Sequence, residues 1–249
     1  EEICQMYKTV GIIGCGTIGS YLFQGLKDDP EIEISFLYDL DEKRIKPLNP
    51  NIGIASLEEV AFREVDLIIE TAQSSVIVEY GKFLLERSNL MVFSATALAN
   101  EKLYHELVDI SQKTGHVLYI PHGAIPGIDG IVDGRRTLKE VDITTVKPPA
   151  SFGRDDKEKT VLYEGPTREA CSIMPRNVNV HAVLALAGLG FDKTYSRVIS
   201  DPGAKTNSHL INVKGDGFSF KLFVESYPMQ GVTGVYTPES AFSSVKKVC

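Results

Sequence analysis

Hydrophobic residues recur through the first half of the chain as short apolar runs separated by amphipathic stretches. The runs fall at residues 9–13, 32–38, 66–70, 90–94 and 117–120, and each has the length and composition of a buried parallel strand. Apolar residues at helical spacing lie between them, at residues 18–26, 57–62, 74–85 and 100–114. This alternation predicts an α/β fold with a doubly wound parallel sheet of about six strands and helices on both faces.

The pattern changes at Gly123, where small residues replace the apolar runs. Residues 141–147 alternate between apolar and polar, as a half-buried strand does, and an alanine-rich helix is predicted at 178–189. Further strand-like runs lie at residues 160–163, 194–200, 209–214 and 218–225. We predict a second α+β domain built on an open, mainly antiparallel sheet, whose exposed face is available for dimerisation.

A glycine-rich turn joins the first predicted strand to the first predicted helix. Gly14, Gly16 and Gly19 form the pattern GxGxxG in that position. The first glycine permits a tight turn, the second admits a pyrophosphate against the backbone, and the third lets the helix pack on the strand. The amides of the first helical turn, beginning with Thr17 and Ile18, then bind phosphate. The motif predicts a dinucleotide cofactor held by a Rossmann domain.

Asp39 ends the second predicted strand, twenty residues beyond Gly19. A carboxylate at this point binds the adenosine ribose hydroxyls and disfavours a 2′-phosphate, whereas the nearby Lys43 and Arg44 weaken that preference. We therefore expect NAD or NADP, with NAD favoured. The Rossmann domain is assigned to residues 1–122 and a substrate-binding and dimerisation domain to 123–249. The C-terminal segment of the latter, about 228–249, is a candidate to pack back on the Rossmann domain.

Charge and cysteine content narrow the class of protein. The 249 residues carry a net charge of −7, which argues against nucleic acid or a membrane surface as partner, because both favour a basic face. No apolar run approaches the roughly 18 residues that span a bilayer, and the first residues lack the layout of a signal peptide. The four cysteines have no metal-ligand spacing, so we expect free thiols, no metal and a cytoplasmic location.

Five segments of the second half are more specific than the glycine motif. They are Gly123-Ala124-Ile125-Pro126-Gly127-Ile128-Asp129, Lys147-Pro148-Pro149, Tyr163-Glu164-Gly165, Pro175-Arg176-Asn177-Val178-Asn179-Val180, and Asp201-Pro202 leading to Asn207-Ser208-His209. On these segments the chain resembles the L-aspartate dehydrogenase family. The resemblance implies a homodimer that deaminates L-aspartate oxidatively and reversibly with NAD(P). Its product, iminosuccinate, either hydrolyses to oxaloacetate and ammonia or supplies NAD biosynthesis.

The C-terminal region departs from the family pattern. The family has an Asn-Pro-Lys-Thr-Ser element followed by a helix, whereas this chain has Gln230-Gly231-Val232-Thr233-Gly234, in which only Thr233 matches. Pro238 also interrupts the first turns of the expected helix unless it lies at the helix start. The departure concerns the part of the substrate pocket that this segment closes in the family.

Histidine is the natural candidate for moving protons on an amine or on an attacking water, because its pKa lies near neutrality. From their settings, His105 and His116 are expected at the surface, and His181, on the alanine-rich helix, is expected to serve in packing. His122 follows the carboxyl end of a strand and is a candidate for lining the ligand crevice. His209 lies at the start of a predicted strand.

The resemblance assigns roles to particular residues. By position, His209 matches the catalytic histidine of the family, and Ala124 and Asn179 match its contacts on the nicotinamide side. Asn177 and Asn179 flank the start of the predicted helix, so one of them is expected to cap the helix and the other to bind the cofactor.

A four-carbon dicarboxylic amino acid needs cationic or amide donors for its two carboxylates. Lys147, Arg154 and Arg176 lie in or beside the family-like segments, and each is alternatively a solvated charge at a strand end. We assign substrate binding to Lys147 and Arg176, with Asn177 and His122 as further contacts.

Two other functions stay open. One is an amino-acid-pathway dehydrogenase or reductase of the homoserine or dihydrodipicolinate type, which shares the two-domain layout. The other is a non-catalytic NAD-binding sensor, which would bind the cofactor without turnover. Profiling substrates by NADH oxidation separates all three.

Overall fold

The chain divides into two units, each built on its own sheet. The computed structural model describes residues 8–227 and 234–249. Within it the first unit runs up to Pro121 and also includes Pro238–Cys249, and the second unit is His122–Thr237. Gln230 to Thr233, which carry the departure from the family pattern, lie outside the described residues.

The first unit alternates strands and helices, as the hydrophobic pattern predicts. Its elements are β1 Lys8–Ile13, α1 Thr17–Leu26, β2 Ile32–Tyr38, β3 Leu67–Glu70, α2 Ser74–Leu85, β4 Asn89–Val92, α3 Glu101–Thr114 and β5 Leu118–Tyr119. The strands pair in parallel in the order β2-β1-β3-β4-β5. The doubly wound parallel sheet is confirmed, with five strands in the described residues instead of about six.

Burial explains why the apolar runs became strands. Val10, Ile12, Ile68 and Ile69 on β1 and β3 are fully buried, as expected for strands covered on both faces. The run predicted as a short helix at 57–62 is a 3₁₀ helix, Leu57–Phe62, whose start is closed by reciprocal hydrogen bonds between Ser56 and Glu59. Further 3₁₀ segments are Glu42–Arg44, Pro50–Ile52 and Ala95–Ala99.

The second unit contains a five-stranded sheet and three helices in its described part. Its elements are α4 Ile128–Gly134, β6 Leu138–Lys147, β7 Thr160–Pro166, α5 Thr167–Ile173, α6 Asn179–Ala187, β8 Tyr195–Ser200, β9 Asn207–Gly215 and β10 Ser219–Ser226, with 3₁₀ segments at Arg135–Thr137 and Pro149–Phe152. The strand order is β10-β9-β6-β8-β7. All pairs are antiparallel except β6 with β8, so the mainly antiparallel sheet is confirmed.

One face of this second sheet is covered and the other is open. Val141, Ile143, Ile211 and Val213 form a core with Leu184 of α6. The opposite face presents, among others, Leu210 and Phe223, which are paired across β9 and β10 and are 37% and 62% exposed.

A last helix, α7 Tyr236–Lys246, returns the chain to the first unit from Pro238 onward. Ala241 and Val245 join the core around β1 and α1, and Lys246 Nζ lies 2.7 Å from the Asp29 carboxylate. Pro238 is the third residue of the helix, within the first turn, where a missing amide hydrogen costs no helical hydrogen bond. The proline therefore does not interrupt the helix.

Candidate active site

The glycine-rich turn after β1 has the geometry that a pyrophosphate requires. Gly14 has φ +90°, a left-handed conformation that favours glycine, and its amide donates to the Tyr38 carbonyl over 2.7 Å. A side chain at Gly19 would lie 1.8 Å from the Gly14 carbonyl oxygen, so the close packing of helix on turn needs glycine there.

Gly16 differs from its two partners, because a Cβ at this position would meet only Arg44 Nη1, at 3.7 Å. Gly16 is the N-cap of α1 and offers no side-chain acceptor to the amides of the first turn, which begins with Thr17 and Ile18. Open space over a glycine and amides at a helix start together form a phosphate cradle. These residues fit a dinucleotide.

Asp39 lies directly after β2 and is fixed by backbone amides. Its two carboxylate oxygens accept from the amides of Cys15 at 2.8 Å and Asp41 at 2.9 Å. Arg44 Nη1 is 3.8 Å from the same carboxylate. A carboxylate has acceptor sites for about four hydrogen bonds, so Asp39 can still bind two ribose hydroxyls.

Glu70, the last residue of β3, is hydrogen-bonded to the residues that follow β3 and β4. It is fully buried and accepts from the amides of Ala72 and Ser94 and from the Ser94 hydroxyl, over 2.8 to 3.0 Å. Burial raises the pKa of this carboxyl to about 7, although the hydrogen bonds oppose the shift. The hydrophobic pattern predicted a buried strand here but not these hydrogen bonds.

In the second unit, strand register places two polar side chains together on the covered face of the sheet. Thr145 of β6 is paired with His209 of β9. The Thr145 hydroxyl lies 2.8 Å from His209 Nδ1 and 2.7 Å from Nε2 of His181 on α6. Thr145 and His181 are completely buried, and His209 is 5% exposed.

The hydrogen bonds continue beyond His181. Its Nδ1 lies 2.9 Å from the Ser196 hydroxyl, which lies 2.7 Å from the Thr167 hydroxyl. Thr167 in turn donates to the backbone carbonyl of Thr194 over 2.9 Å. A buried chain of hydrogen bonds thus runs from His209 to a main-chain acceptor.

Lys147 ends β6, two residues after Thr145 and on the same face. Its side chain is buried, and its Nζ donates to the Asn177 carbonyl over 3.4 Å and lies 5.8 Å from the centre of the Phe152 ring. No carboxylate of the described residues lies within 4 Å of it, and burial lowers the pKa of the amine to about 8. Burial and this cation lower the pKa of His209 to about 3, so the imidazole is neutral.

The other predicted residues have more varied settings. The Asn177 side-chain oxygen is buried and has no hydrogen-bond partner in the described residues. Asn179 begins α6, but the N-cap is Val178 without a side-chain hydrogen bond, so the expectation that an asparagine caps this helix is wrong. Arg176 is exposed, and Arg154 is paired with Asp156 in two 2.8 Å contacts.

Two predicted residues lie at the start of the second unit. His122 is its first residue and is partly exposed, and its carbonyl accepts from the amide of Ile125 over 3.1 Å. Ala124, between them, is buried. Both therefore lie in the turn that precedes α4.

The first unit combines a parallel sheet with a glycine-rich turn that fits a phosphate. The second unit holds a buried histidine and a buried lysine that has no carboxylate partner in the described residues. Together they are the arrangement of an NAD(P)-dependent dehydrogenase. The family model for the NAD-binding domain of homoserine dehydrogenase matches residues 14–121, and the model for the C-terminal part of aspartate dehydrogenase matches 130–248. The L-aspartate dehydrogenases of Methanosarcina mazei and Methanococcoides burtonii are 35% and 33% identical, each over 96% of both chains. The chain belongs to the aspartate dehydrogenase family.

Solved structures agree with this assignment. The aspartate dehydrogenase of Thermotoga maritima is similar with a TM-score of 0.78 and 27% identity, over 97% of this chain and 95% of that one. A dihydrodipicolinate reductase from Paenisporosarcina sp. TG-14 has a TM-score of 0.53 at 13% identity, over 97% of this chain and 92% of that one, which shows a shared fold alone. The resemblance inferred from the second-half segments is confirmed.

Thr145, His181 and Ser196 were not predicted as site residues from the sequence. His181 was expected to serve in packing, and it instead joins the chain of hydrogen bonds to His209. Two signals were available: Thr145 is a polar residue in the inward alternation of β6, after Val141 and Ile143, and His181 lies on an otherwise apolar helix.

Proposed function

We propose that this protein catalyses the reversible, NAD(P)-dependent oxidative deamination of L-aspartate to iminosuccinate, which is hydrolysed to oxaloacetate and ammonia. The observation that carries the proposal is the neutral, buried His209 beside Lys147, a buried cation without a carboxylate partner in the described residues. A base next to an uncompensated positive charge suits an anionic amino acid that must lose protons.

Lys147 is the residue to hold a substrate carboxylate. A buried amine that lacks a counter-ion gains most from an anionic ligand, because binding supplies the missing opposite charge. The unpaired Asn177 side-chain oxygen, whose residue already contacts Lys147 through its carbonyl, is an acceptor suited to the substrate ammonium. Arg176 and His122 are further candidates at the substrate, and Arg176 would bind the second carboxylate.

His209 serves as the general base. Its low pKa in the free protein has two causes, burial and Lys147, and a bound carboxylate removes the second by neutralising the lysine. The pKa of His209 therefore rises when substrate binds, and the imidazole then accepts a proton from the substrate nitrogen or from the water that attacks the imine.

A bound NAD(P) would supply the acceptor for the hydride that leaves the substrate Cα. The residues that would hold it are Gly14, Gly16, Thr17, Ile18, Gly19 and Asp39 in the first unit, with Ala124 and Asn179 on the nicotinamide side. Asp39 favours NAD, whereas Arg44, 3.8 Å from that carboxylate and close to Gly16, is positioned to bind a 2′-phosphate. Both cofactors are thus expected to bind, NAD more tightly.

We further propose a homodimer formed through the open face of the second sheet. Four large apolar side chains on this face are exposed: Phe223, Leu210, Tyr195 and Val161, by 62%, 37%, 45% and 45%. Exposed apolar residues grouped on one face are typical of an interaction surface, whereas single scattered ones are not. Sedimentation of the full chain tests this, with Phe223→Lys expected to give monomers. The supply of iminosuccinate for NAD biosynthesis is a proposal that rests on the reaction itself.

No helix within residues 8–227 and 234–249 combines the length and apolar character needed to cross a bilayer. Cys15, Cys171 and Cys249 are unpaired thiols in the structure. Unpaired thiols persist in a reducing compartment, which supports the proposal of a cytoplasmic location.

The test is NADH oxidation with oxaloacetate and ammonia, compared with NADPH and with other oxo acids. His209→Ala is expected to lower kcat by about 10²–10⁴, the usual contribution of a positioned acid or base, and to leave the Kd for NADH unchanged. His105→Ala, on the exposed part of α3, is the matched control. Turnover lost in His122→Ala but retained in His209→Ala would transfer the role to His122.

Tight NADH binding without turnover of any oxo acid would favour the non-catalytic sensor. Preferential turnover of a homoserine or dihydrodipicolinate substrate would instead assign the protein to those dehydrogenase and reductase types.

A further inference from the structure

The chain of hydrogen bonds behind His209 has a fixed direction, because it ends at a group that can only accept. The Thr194 carbonyl receives the hydroxyl proton of Thr167 over 2.9 Å. A threonine hydroxyl has one proton. Since Thr167 has donated it to the carbonyl, the 2.7 Å contact between Thr167 and Ser196 must be a donation by Ser196.

The same count continues to the histidines. Ser196 has used its one proton, so it accepts at 2.9 Å from His181, whose Nδ1 therefore carries a proton. Burial and the neighbouring His209 and Lys147 hold the pKa of His181 well below its usual value. A neutral imidazole protonated on Nδ1 is an acceptor at Nε2, so Thr145 donates to it over 2.7 Å.

Thr145 then has only lone pairs left for His209. The 2.8 Å contact must be a donation from His209 Nδ1. We propose that the chain from the Thr194 carbonyl through Thr167, Ser196, His181 and Thr145 fixes His209 as the Nδ1–H tautomer. In the proposed function, on which the inference rests in this one respect, Nε2 of His209 is then the nitrogen that takes the substrate proton. Thr145, His181 and Ser196 are positioning residues for His209.

Burial makes this direction difficult to reverse. Thr145, Thr167, His181 and Ser196 are completely buried, so water does not replace a lost partner. Reversal would require Thr167 to withdraw its proton from the Thr194 carbonyl, leaving a buried acceptor with one hydrogen bond fewer. The carbonyl also cannot pass a proton onward. The chain therefore orients His209 but carries no proton away, and His209 exchanges protons through Nε2 alone.

The direct test is nitrogen NMR of the full-length protein labelled with ¹⁵N-histidine, with and without NADH. Protonated and unprotonated ring nitrogens resonate far apart, and His209→Gln assigns the signals. We expect protonated Nδ1 and unprotonated Nε2 at His209. A His209 protonated on Nε2 alone would overturn the inference. The tautomer is measured in the wild-type protein, and the variant serves only to assign its signals.

Matched variants test the positioning role. Thr145→Val removes the central hydroxyl with little change of shape, Thr145→Ser restores it, and Thr194→Val removes a buried hydroxyl that has no partner in the described residues while keeping the carbonyl. We expect Thr145→Val to mix the two His209 tautomers and lower kcat at least about tenfold at unchanged Kd for NADH. Thr145→Ser and Thr194→Val should resemble the wild type.

Ser196→Ala gives a second, independent perturbation, because it frees His181 to change tautomer and should mix the tautomers of His209 from a distance. Unchanged tautomer and kcat in both Thr145→Val and Ser196→Ala would overturn the positioning role. The two hypotheses fail separately: Nδ1–H at His209 without turnover of aspartate contradicts only the proposed function, and turnover with Nε2–H contradicts only this inference.

Discussion

Replacing Lys147 with methionine should make the protein more stable and less able to bind its substrate. The pKa of Lys147 falls from 10.5 to about 8 on folding, with burial as the cause. Each pKa unit corresponds to about 1.4 kcal/mol, so holding this amine charged in the folded protein costs about 3 kcal/mol at pH 7. Methionine has a similar length and no charge to desolvate.

The size of both effects follows from this cost. We expect Lys147→Met to raise the free energy of unfolding at pH 7 by up to about 3 kcal/mol. The same change removes the charged partner of a substrate carboxylate, and a hydrogen bond to a charged group contributes about 1.5–3 kcal/mol. The KM for aspartate, and the Kd for succinate, the same dicarboxylate without the amino group, should therefore rise roughly ten- to a hundredfold.

The pH dependence has a defined sign. The unfolded chain binds a proton at Lys147 up to pH 10.5, whereas the folded protein releases it near pH 8. The wild type therefore gains stability as the pH rises from about 8 to 10.5. The stability difference between Lys147→Met and wild type should shrink over that range, and wild-type affinity for succinate should weaken above pH 8.

Urea unfolding and calorimetric titration with succinate measure the two quantities on the same samples. Lys214→Met is the matched control, because Lys214 is exposed on β9 and its 2.6 Å ion pair with Glu140 lies at the surface, where such pairs contribute about 0–1 kcal/mol. A less stable Lys147→Met protein that retains wild-type affinity would refute the reasoning and make Lys147 a structural residue.

Three further changes test the first unit. Gly16→Val should abolish NADH binding in calorimetry yet fold normally, because a Cβ at this position would meet only Arg44; undiminished affinity would contradict the phosphate cradle. Asp39→Ala should weaken the binding of NAD by about 1.5–3 kcal/mol and shift the ratio of the kcat/KM values for NADH and NADPH toward NADPH. An unchanged ratio would contradict the role of Asp39. The pKa of Glu70 is about 7 in the folded protein and 4.5 in the unfolded chain. Wild-type stability should therefore fall as the pH rises from 4.5 to 7, by up to about 3 kcal/mol. Urea unfolding at pH 5 and pH 8 should show that Glu70→Gln lacks this slope.

The first sheet could be predicted because its information is local. Each strand is a continuous apolar run, and the glycine pattern and Asp39 stand at fixed distances along the chain. The ends of the elements were less predictable: β5 has two residues, Leu118–Tyr119. The helices α4 and α5 were not predicted, since each has seven residues and α4 contains two glycines, Gly130 and Gly134.

The candidate site of the second unit could be predicted only in part. Lys147 and His209 were proposed from neighbouring sequence and the family resemblance. Their connection through Thr145 depends on the pairing of β6 with β9, across 64 residues of chain, and on α6 packing over the sheet. Strand register and helix packing are set by the whole unit, so a polar residue in an apolar alternation shows that a partner exists without showing which one.

The return of α7 to the first unit has a consequence for how the protein is made. Ala241 and Val245 complete a core that contains Val10, Leu22 and Leu26, yet they are synthesised after the entire second unit. Domains usually fold in order as they leave the ribosome, whereas here the nucleotide-binding unit emerges first and must wait with an unfinished core. The second unit, continuous from His122 to Thr237, is free to fold before the unit that precedes it.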